Sequence, residues 1–316
     1  MTADATIAQG TTSPAIGISR AYVQLFLTIL IWGGYFVVAK KAVGEASPLA
    51  LSAARYVLGG TILGMLAASR GPWPRPTRRE ALLLLAMGLT SVFGFNVLSF
   101  IGFNHAPASD GSLIMPTMPT LFVLPIAAFL FGERMGRRQI AGLGLLLAGE
   151  LLVFREASFA NNLSGDRLAG IGIFCVAAFL WALYTICTRM LGGRISPIHA
   201  TFYSVAIGVA ILLPFSALPL WRMVSGGPSA GLWLAILYLG ALQTVAGLIW
   251  WFQGVQAIGA SRAAVINTLV PVVALALAAI FLDDVPSGER VIGALLVVGG
   301  VTVAASRSVS RVIRTG

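Results

Sequence analysis

Aromatic and polar side chains set inside long apolar runs are the residues of this sequence with chemistry to offer. Trp32 and Tyr35 are three residues apart, so they share one face of a helix, and Trp181 and Tyr184 repeat the pair. Such a pair can wall a cavity and still keep an N–H or O–H for a bound molecule. The competing reading is an interfacial aromatic belt. The depth of Trp32 in its run argues against the belt, whereas Trp250 and Trp251 stand where a run ends and are read as belt residues. Asn96 and Ser99 share a face of a third run, Gln243 and Thr244 lie in another, and Asn267 and Thr268 in a further one. Amides bond a carboxylate or an ammonium without carrying charge. Neutral amides beside aromatics suit a zwitterion, and helix–helix hydrogen bonding is the equal alternative.

Few charges enter the runs. Arg55 is the only basic residue read as lying within one, and Glu150 the only acid well within one. Arg55 either pairs with a fixed acid or helix terminus or meets a substrate carboxylate. A structural role is preferred for both. Glu133 and Asp284 close two runs, where an acid opposes the helix dipole, and are read as gate or loop anchors. Pro116, Pro119 and Pro125 in one run and Pro271 in its counterpart predict broken helices that serve as hinges, with a static kink as the alternative.

The elements that must hold these residues follow from composition. The chain of 316 residues is 58% hydrophobic and 10% charged, against about 25% charged in soluble domains. So apolar a chain cannot cover a water-facing surface. The net charge of +10 does not mark nucleic-acid binding, because the basic residues sit in short loops and not on one face. His105 and His199 stand alone near run ends, and Cys175 and Cys187 are too far apart on one helix to pair. No metal-ligand spacing, nucleophile–base pair or close acid pair is present, which excludes an intramembrane enzyme. A phosphate-ester carrier would need more cavity cations than Arg55.

Ten apolar runs, near 21–40, 48–68, 81–103, 108–131, 138–154, 168–188, 197–219, 230–253, 260–282 and 289–306, have about the length of a membrane-crossing helix. Short connections predict that sequential helices are antiparallel neighbours. With the N-terminus in the cytoplasm, fourteen Lys and Arg fall on the cytoplasmic side and six on the other, so both termini are expected there. The halves repeat at offsets of 149 to 152 residues: Trp32 with Trp181, Tyr35 with Tyr184, Ser47-Pro48 with Ser196-Pro197, Gly88 with Gly240, Pro119 with Pro271, Glu133 with Asp284, Gly149 with Gly300. Five spans per half is an odd number, so the second half enters from the opposite side. The expected fold is an all-α membrane protein of ten transmembrane helices built as two inverted five-helix repeats, with the solute site near the midplane between them.

Leu30-Ile31-Trp32-Gly33-Gly34-Tyr35-Phe36 resembles the first-span motif of the drug/metabolite transporter superfamily, in its EamA-domain family. Ala54-Arg55-Tyr56 resembles that family's second-span arginine, and the stretches Pro119 to Arg134 and Pro271 to Asp284 resemble the ends of its fourth and ninth spans. The crowded Pro116-Thr117-Met118-Pro119, and Asp283-Asp284 where Gly-Glu is usual, depart from the pattern. The resemblance implies export of amino acids and other small metabolites, with no cofactor. The expected layout is a disordered tail over 1–19, repeats over 20–155 and 168–306 joined by a linker at 156–167, and a basic tail over 307–316. The expected partners are a small-molecule substrate and the lipid bilayer, with the protein a monomer or homodimer. The expected location is the inner (plasma) membrane, and the preference for Arg over Lys points to a bacterial source. The expected site comprises Trp32, Tyr35, Asn96, Ser99, Trp181, Tyr184, Gln243 and Asn267, with Arg55, Pro119, Glu133, Pro271 and Asp284 as gating or structural residues. A multidrug or other organic-solute exporter of the same superfamily is the alternative.

Overall fold

Ser-Pro at the start of two helices shows how local sequence sets the elements. The Ser47 and Ser196 side chains accept from the backbone N–H of Ala50 and His199, at 3.3 and 3.4 Å, while the following proline occupies the first helical turn. A third start is a capping box, in which Thr77 and Glu80 satisfy each other's backbone N–H. The computed structural model describes residues 17–106, 108–132, 136–159, 165–282 and 288–305, and every regular element among them is helical. In the first half these are α1 (Ile18–Ala42), α2 (Pro48–Ala68), α3 (Arg78–Met87), α4 (Asn96–His105), α5 (Ala108–Phe131) and α6 (Arg137–Phe159). A π-helical stretch, π1 (Gly88–Phe95), joins α3 to α4. In the second half are α7 (Gly165–Leu191), α8 (Pro197–Ser225), α9 (Ala230–Leu237), α10 (Gly247–Ile258), α11 (Ala260–Asn267), α12 (Val270–Leu282) and α13 (Gly288–Ala305). A second π-helical stretch, π2 (Tyr238–Ala246), joins α9 to α10.

Eight of the described helical segments are long and apolar enough to cross a membrane, where ten were expected. Neither α6, which carries Arg138, Glu150 and Arg155, nor α13 is among the eight; the apolar part of α13 among the described residues is Val291–Gly300. The proline expectation is half right. The fourth run is not broken: α5 continues through Pro116, Pro119 and Pro125. The ninth is broken, with α11 ending at Asn267 and Pro271 lying in the first turn of α12, where its missing N–H costs nothing. Glu133, Asp284 and the 1–16 and 306–316 tails lie outside the described residues.

Sequential helices are not the main neighbours, contrary to expectation. The extensive contacts run between the halves: α6 on α13, α2 on α8, α5 on α7, and α1 on α10 and α12. Glycine permits this. In lipid there is little hydrophobic drive between helices, so close approach of small residues must supply the packing. A Cβ on Gly149 would stand 2.6 Å from the Gly293 carbonyl oxygen, and one on Gly300 would stand 2.6 Å from that of Gly142. Likewise a Cβ on Gly88 would meet the Ser204 carbonyl at 2.7 Å, and one on Gly59 the Gly240 carbonyl at 2.9 Å.

Two ion pairs stand at opposite ends of α7, a 27-residue helix about 40 Å long. At its start Arg167 grips Asp110 of α5 through Nε and Nη2, at 2.7 and 2.8 Å, with both side chains buried. Beyond its end Arg194 pairs with Glu80 of α3, with Nε at 2.6 Å, and also donates to the Arg75 carbonyl. Removing one partner of a buried ion pair costs about 3–5 kcal/mol. The Arg194 guanidinium is half-exposed, so solvent screens its pair and its loss should cost far less.

Thermal melting in detergent should therefore separate the variants. Asp110→Asn should lower the melting temperature far more than Arg194→Gln. Gly149→Ala should lower it because a backbone oxygen blocks the new methyl. Gly144→Ala, which meets nothing within 4 Å, should leave it unchanged or raise it. Equal shifts within either pair would contradict this packing.

Candidate functional site

Trp32 of α1 and Trp181 of α7, matched in the sequence repeat, meet edge to face with ring centroids 5.1 Å apart. Trp251 of α10 completes the cluster, 5.3 Å from Trp32 and 5.9 Å from Trp181. The belt reading of Trp251 is thereby corrected: α10 continues to Ile258, and the side chain is 2% exposed. The Trp32 indole N–H donates to the Gln243 carbonyl at 3.4 Å. Gly247 makes room for it, since a Cβ there would stand 2.5 Å from the indole nitrogen.

Beside this cluster is a cavity of about 60 Å³ lined from both halves. Trp32 and Tyr35 of α1, Arg55 and Tyr56 of α2, and Met115 and Pro116 of α5 face it from the first half. Trp181, Gln243 and Asn267 face it from the second. The Arg55 guanidinium donates to the Tyr56 hydroxyl at 3.2 Å and lies 4.4 Å from the Tyr56 ring centre and 5.8 Å from that of Tyr35. Asn267 Nδ2 donates to the Pro116 carbonyl at 2.9 Å, tying α11 to α5 across the halves. This bond fixes the orientation of the amide, because a carbonyl can only accept. Arg55 Nε, Gln243 Oε1 and Asn267 Oδ1 are buried and have no hydrogen-bond partner among the described residues.

Of the expected substrate residues, Trp32, Tyr35, Trp181, Gln243 and Asn267 come together on this cavity. Asn96, Ser99 and Tyr184 do not line it. The wide turns of π1 shift the phase of all that follows, so Phe95 faces the cavity in place of Asn96. Ser99 turns back onto its own helix and donates to the Phe95 carbonyl at 2.5 Å. Tyr184 packs on Trp181 at 5.0 Å and is 1% exposed. Arg55, read as structural, stands in the cavity wall. Tyr56, Phe95, Met115 and Pro116 were not expected there. Tyr56 could have been suspected as the neighbour of Arg55, an arginine set in an apolar run, but an apolar Phe or Met in an apolar run gives no signal.

A larger cavity of about 300 Å³ lies among α5, α6 and α7. Its walls are nearly all apolar, among them Met118, Leu143, Ile171 and Cys175, and its rim residues Leu147 and Leu151 are exposed. It can hold hydrocarbon but does not offer the unpartnered donor and acceptors of the smaller site.

The chain matches the model of the EamA-like transporter family twice, over residues 19–155 and 168–306. It is 30% identical to the uncharacterized transporter YyaM of Bacillus subtilis, over 90% of this chain and 92% of that one. It is 31% identical to a probable amino-acid metabolite efflux pump of Salmonella typhimurium, over 88% and 92% of the two chains. The aromatic amino acid exporter YddG of Ancylobacter novellus is 25% identical, over 88% and 94%. A solved crystal structure superposes with a TM-score of 0.74 at 24% identity, over 93% of this chain and all of that one, which establishes likeness of fold alone. With its apolar helices and two family repeats, this chain is a multi-pass membrane protein and belongs to the EamA-like transporter family.

Proposed function

We propose that the protein is a secondary transporter that exports small metabolites, foremost amino acids, by alternating access through the cavity of Trp32, Tyr35, Arg55, Trp181, Gln243 and Asn267. The observation that carries this reading is a cavity walled by both sequence-related halves, three of whose lining residues keep a buried polar atom without a partner among the described residues. The names of the Salmonella pump and of YddG support the substrate class.

The symmetry of the packing supports an inverted repeat of ten spans. Contacts recur when the halves are exchanged: α5 on α7 as α12 on α1, π1 on α8 as π2 on α2, and α6 on α13 as a pair with itself. The π-helical stretches π1 and π2 fall at matching places in the third and eighth spans. A body related to itself by a twofold axis in the membrane plane can open to either side at similar cost. In this reading the Glu80–Arg194 end is cytoplasmic and the Asp110–Arg167 end outward. The two ion pairs open in alternation and serve as the gates, a role first sought at Glu133 and Asp284.

Reporter fusions after Ala160 and after Gly316 test the arrangement and should give opposite compartment signals. Equal signals would rule out an inverted pair of five spans. The site is tested by flux of labelled amino acids into liposomes containing purified protein. Trp32→Ala and Trp181→Ala should each reduce flux at least about tenfold while leaving the protein inserted and folded, and Trp250→Ala, away from the cavity, should do much less. Wild-type flux in both cavity variants would reduce the aromatics to packing.

A further inference from the structure

Three residues that line the cavity, one cation and two amides, each keep a buried polar atom with no partner among the described residues. Arg55 is 4% exposed, and no ion pair among the described residues involves it. The Tyr56 and Tyr35 faces offset part of its burial, but its Nε remains without an acceptor. A lone charge in a membrane interior costs several kcal/mol unless something meets it. On the other half, Asn267 has its nitrogen committed to Pro116 and its oxygen free, and the Gln243 side-chain oxygen is free as well. All three residues face one space.

We infer that this space is a head-group site for a small α-amino acid, with the carboxylate on Arg55 and the ammonium on the amide oxygens of Gln243 and Asn267. The inference rests on the proposed function and adds to it an orientation and a size limit. A carboxylate suits the guanidinium fork, which can donate two parallel bonds. An ammonium is three donors with no acceptor, so it matches amide oxygens and not the arginine. Neutral amides hold it without the deep trap that a buried carboxylate would make. The indoles of Trp32 and Trp181 then face the side chain of the substrate. A volume of about 60 Å³ is under half of the ~150 Å³ void that holds benzene. An aromatic amino acid therefore does not fit this conformation, and the smallest amino acids are the substrates to test.

The test measures binding and flux separately. Binding is read as the melting shift of detergent-purified protein with alanine, alaninamide, propionate, ethylamine and phenylalanine. Flux is read as uptake of labelled alanine into liposomes, with the same compounds as competitors. In the wild type, alaninamide and ethylamine should bind at least about tenfold more weakly than alanine, since each lacks the carboxylate. Propionate should retain part of the affinity, and phenylalanine should compete poorly. Arg55→Gln should abolish the preference for alanine over alaninamide, and Arg55→Lys, which keeps the charge but not the fork, should restore part of it. A wild type that binds alanine and alaninamide equally overturns the inference, and this series decides alone if Arg55→Gln does not fold. A folded Arg55→Gln protein with the wild-type preference also overturns it, while leaving the transport reading intact. Arg55-dependent alanine binding without flux would keep the site and refute transport.

Discussion

Hydrocarbon offers no hydrogen-bond partner, and the rest of the structure depends on that constraint. Polar groups within the spans must find partners inside the protein. Most do so locally: the Thr28, Ser52, Thr185, Thr188 and Ser216 hydroxyls donate to carbonyls four residues back in their own helices. Charges near the helix ends are paired, as Asp110 with Arg167 and Glu80 with Arg194. Buried polar atoms without a partner among the described residues also occur elsewhere, at Gln24, Asn96, Tyr184 and Trp251 among others, but only three of the residues that keep one line a common cavity. Arg55, Gln243 and Asn267 each keep an unpartnered atom, and they share one cavity.

The same constraint explains why the halves are interleaved and not side by side. Without a strong hydrophobic drive, helices associate where backbones can approach, and glycine provides those places. The reciprocal contacts of Gly149 with Gly293 and of Gly300 with Gly142 bind α6 to α13. The Gly59–Gly240 contact binds α2 to π2, as Gly88 and Ser204 bind π1 to α8. These seams leave α1 and α7 at the centre, where Trp32 meets Trp181. The ion pairs sit at the two ends of α7, outside the layer of tryptophans.

Much of this is legible in the sequence. Apolar runs locate the helices because a span must be long and continuous, and the Trp32/Trp181 match points to the central cavity because an internal repeat carries its central residues in pairs. Pro271 marks a real break because it lies where a helix begins. Pro116, Pro119 and Pro125 mark none, because α5 is held by neighbours on both sides and absorbs them. Asn96 and Ser99 mislead because a regular helical period takes no account of π1. Trp251 is hidden for a related reason: π2 sits N-terminal to α10, and the helix runs on past the expected end. The Asp110–Arg167 pair joins residues 57 apart in sequence at two helix starts, and nothing in either run announces the other.

The central claim is that one cavity between the halves is reached from both sides of the membrane and is filled by the substrate. Met115 lines that cavity without belonging to the proposed polar site. A Met115→Cys variant, with Cys175 and Cys187 replaced by serine, can be challenged with a membrane-impermeant thiol reagent from each face in vesicles of either orientation. The account predicts labelling from both faces and protection by saturating alanine on each. Labelling from one face only, or labelling unaffected by alanine, would contradict it.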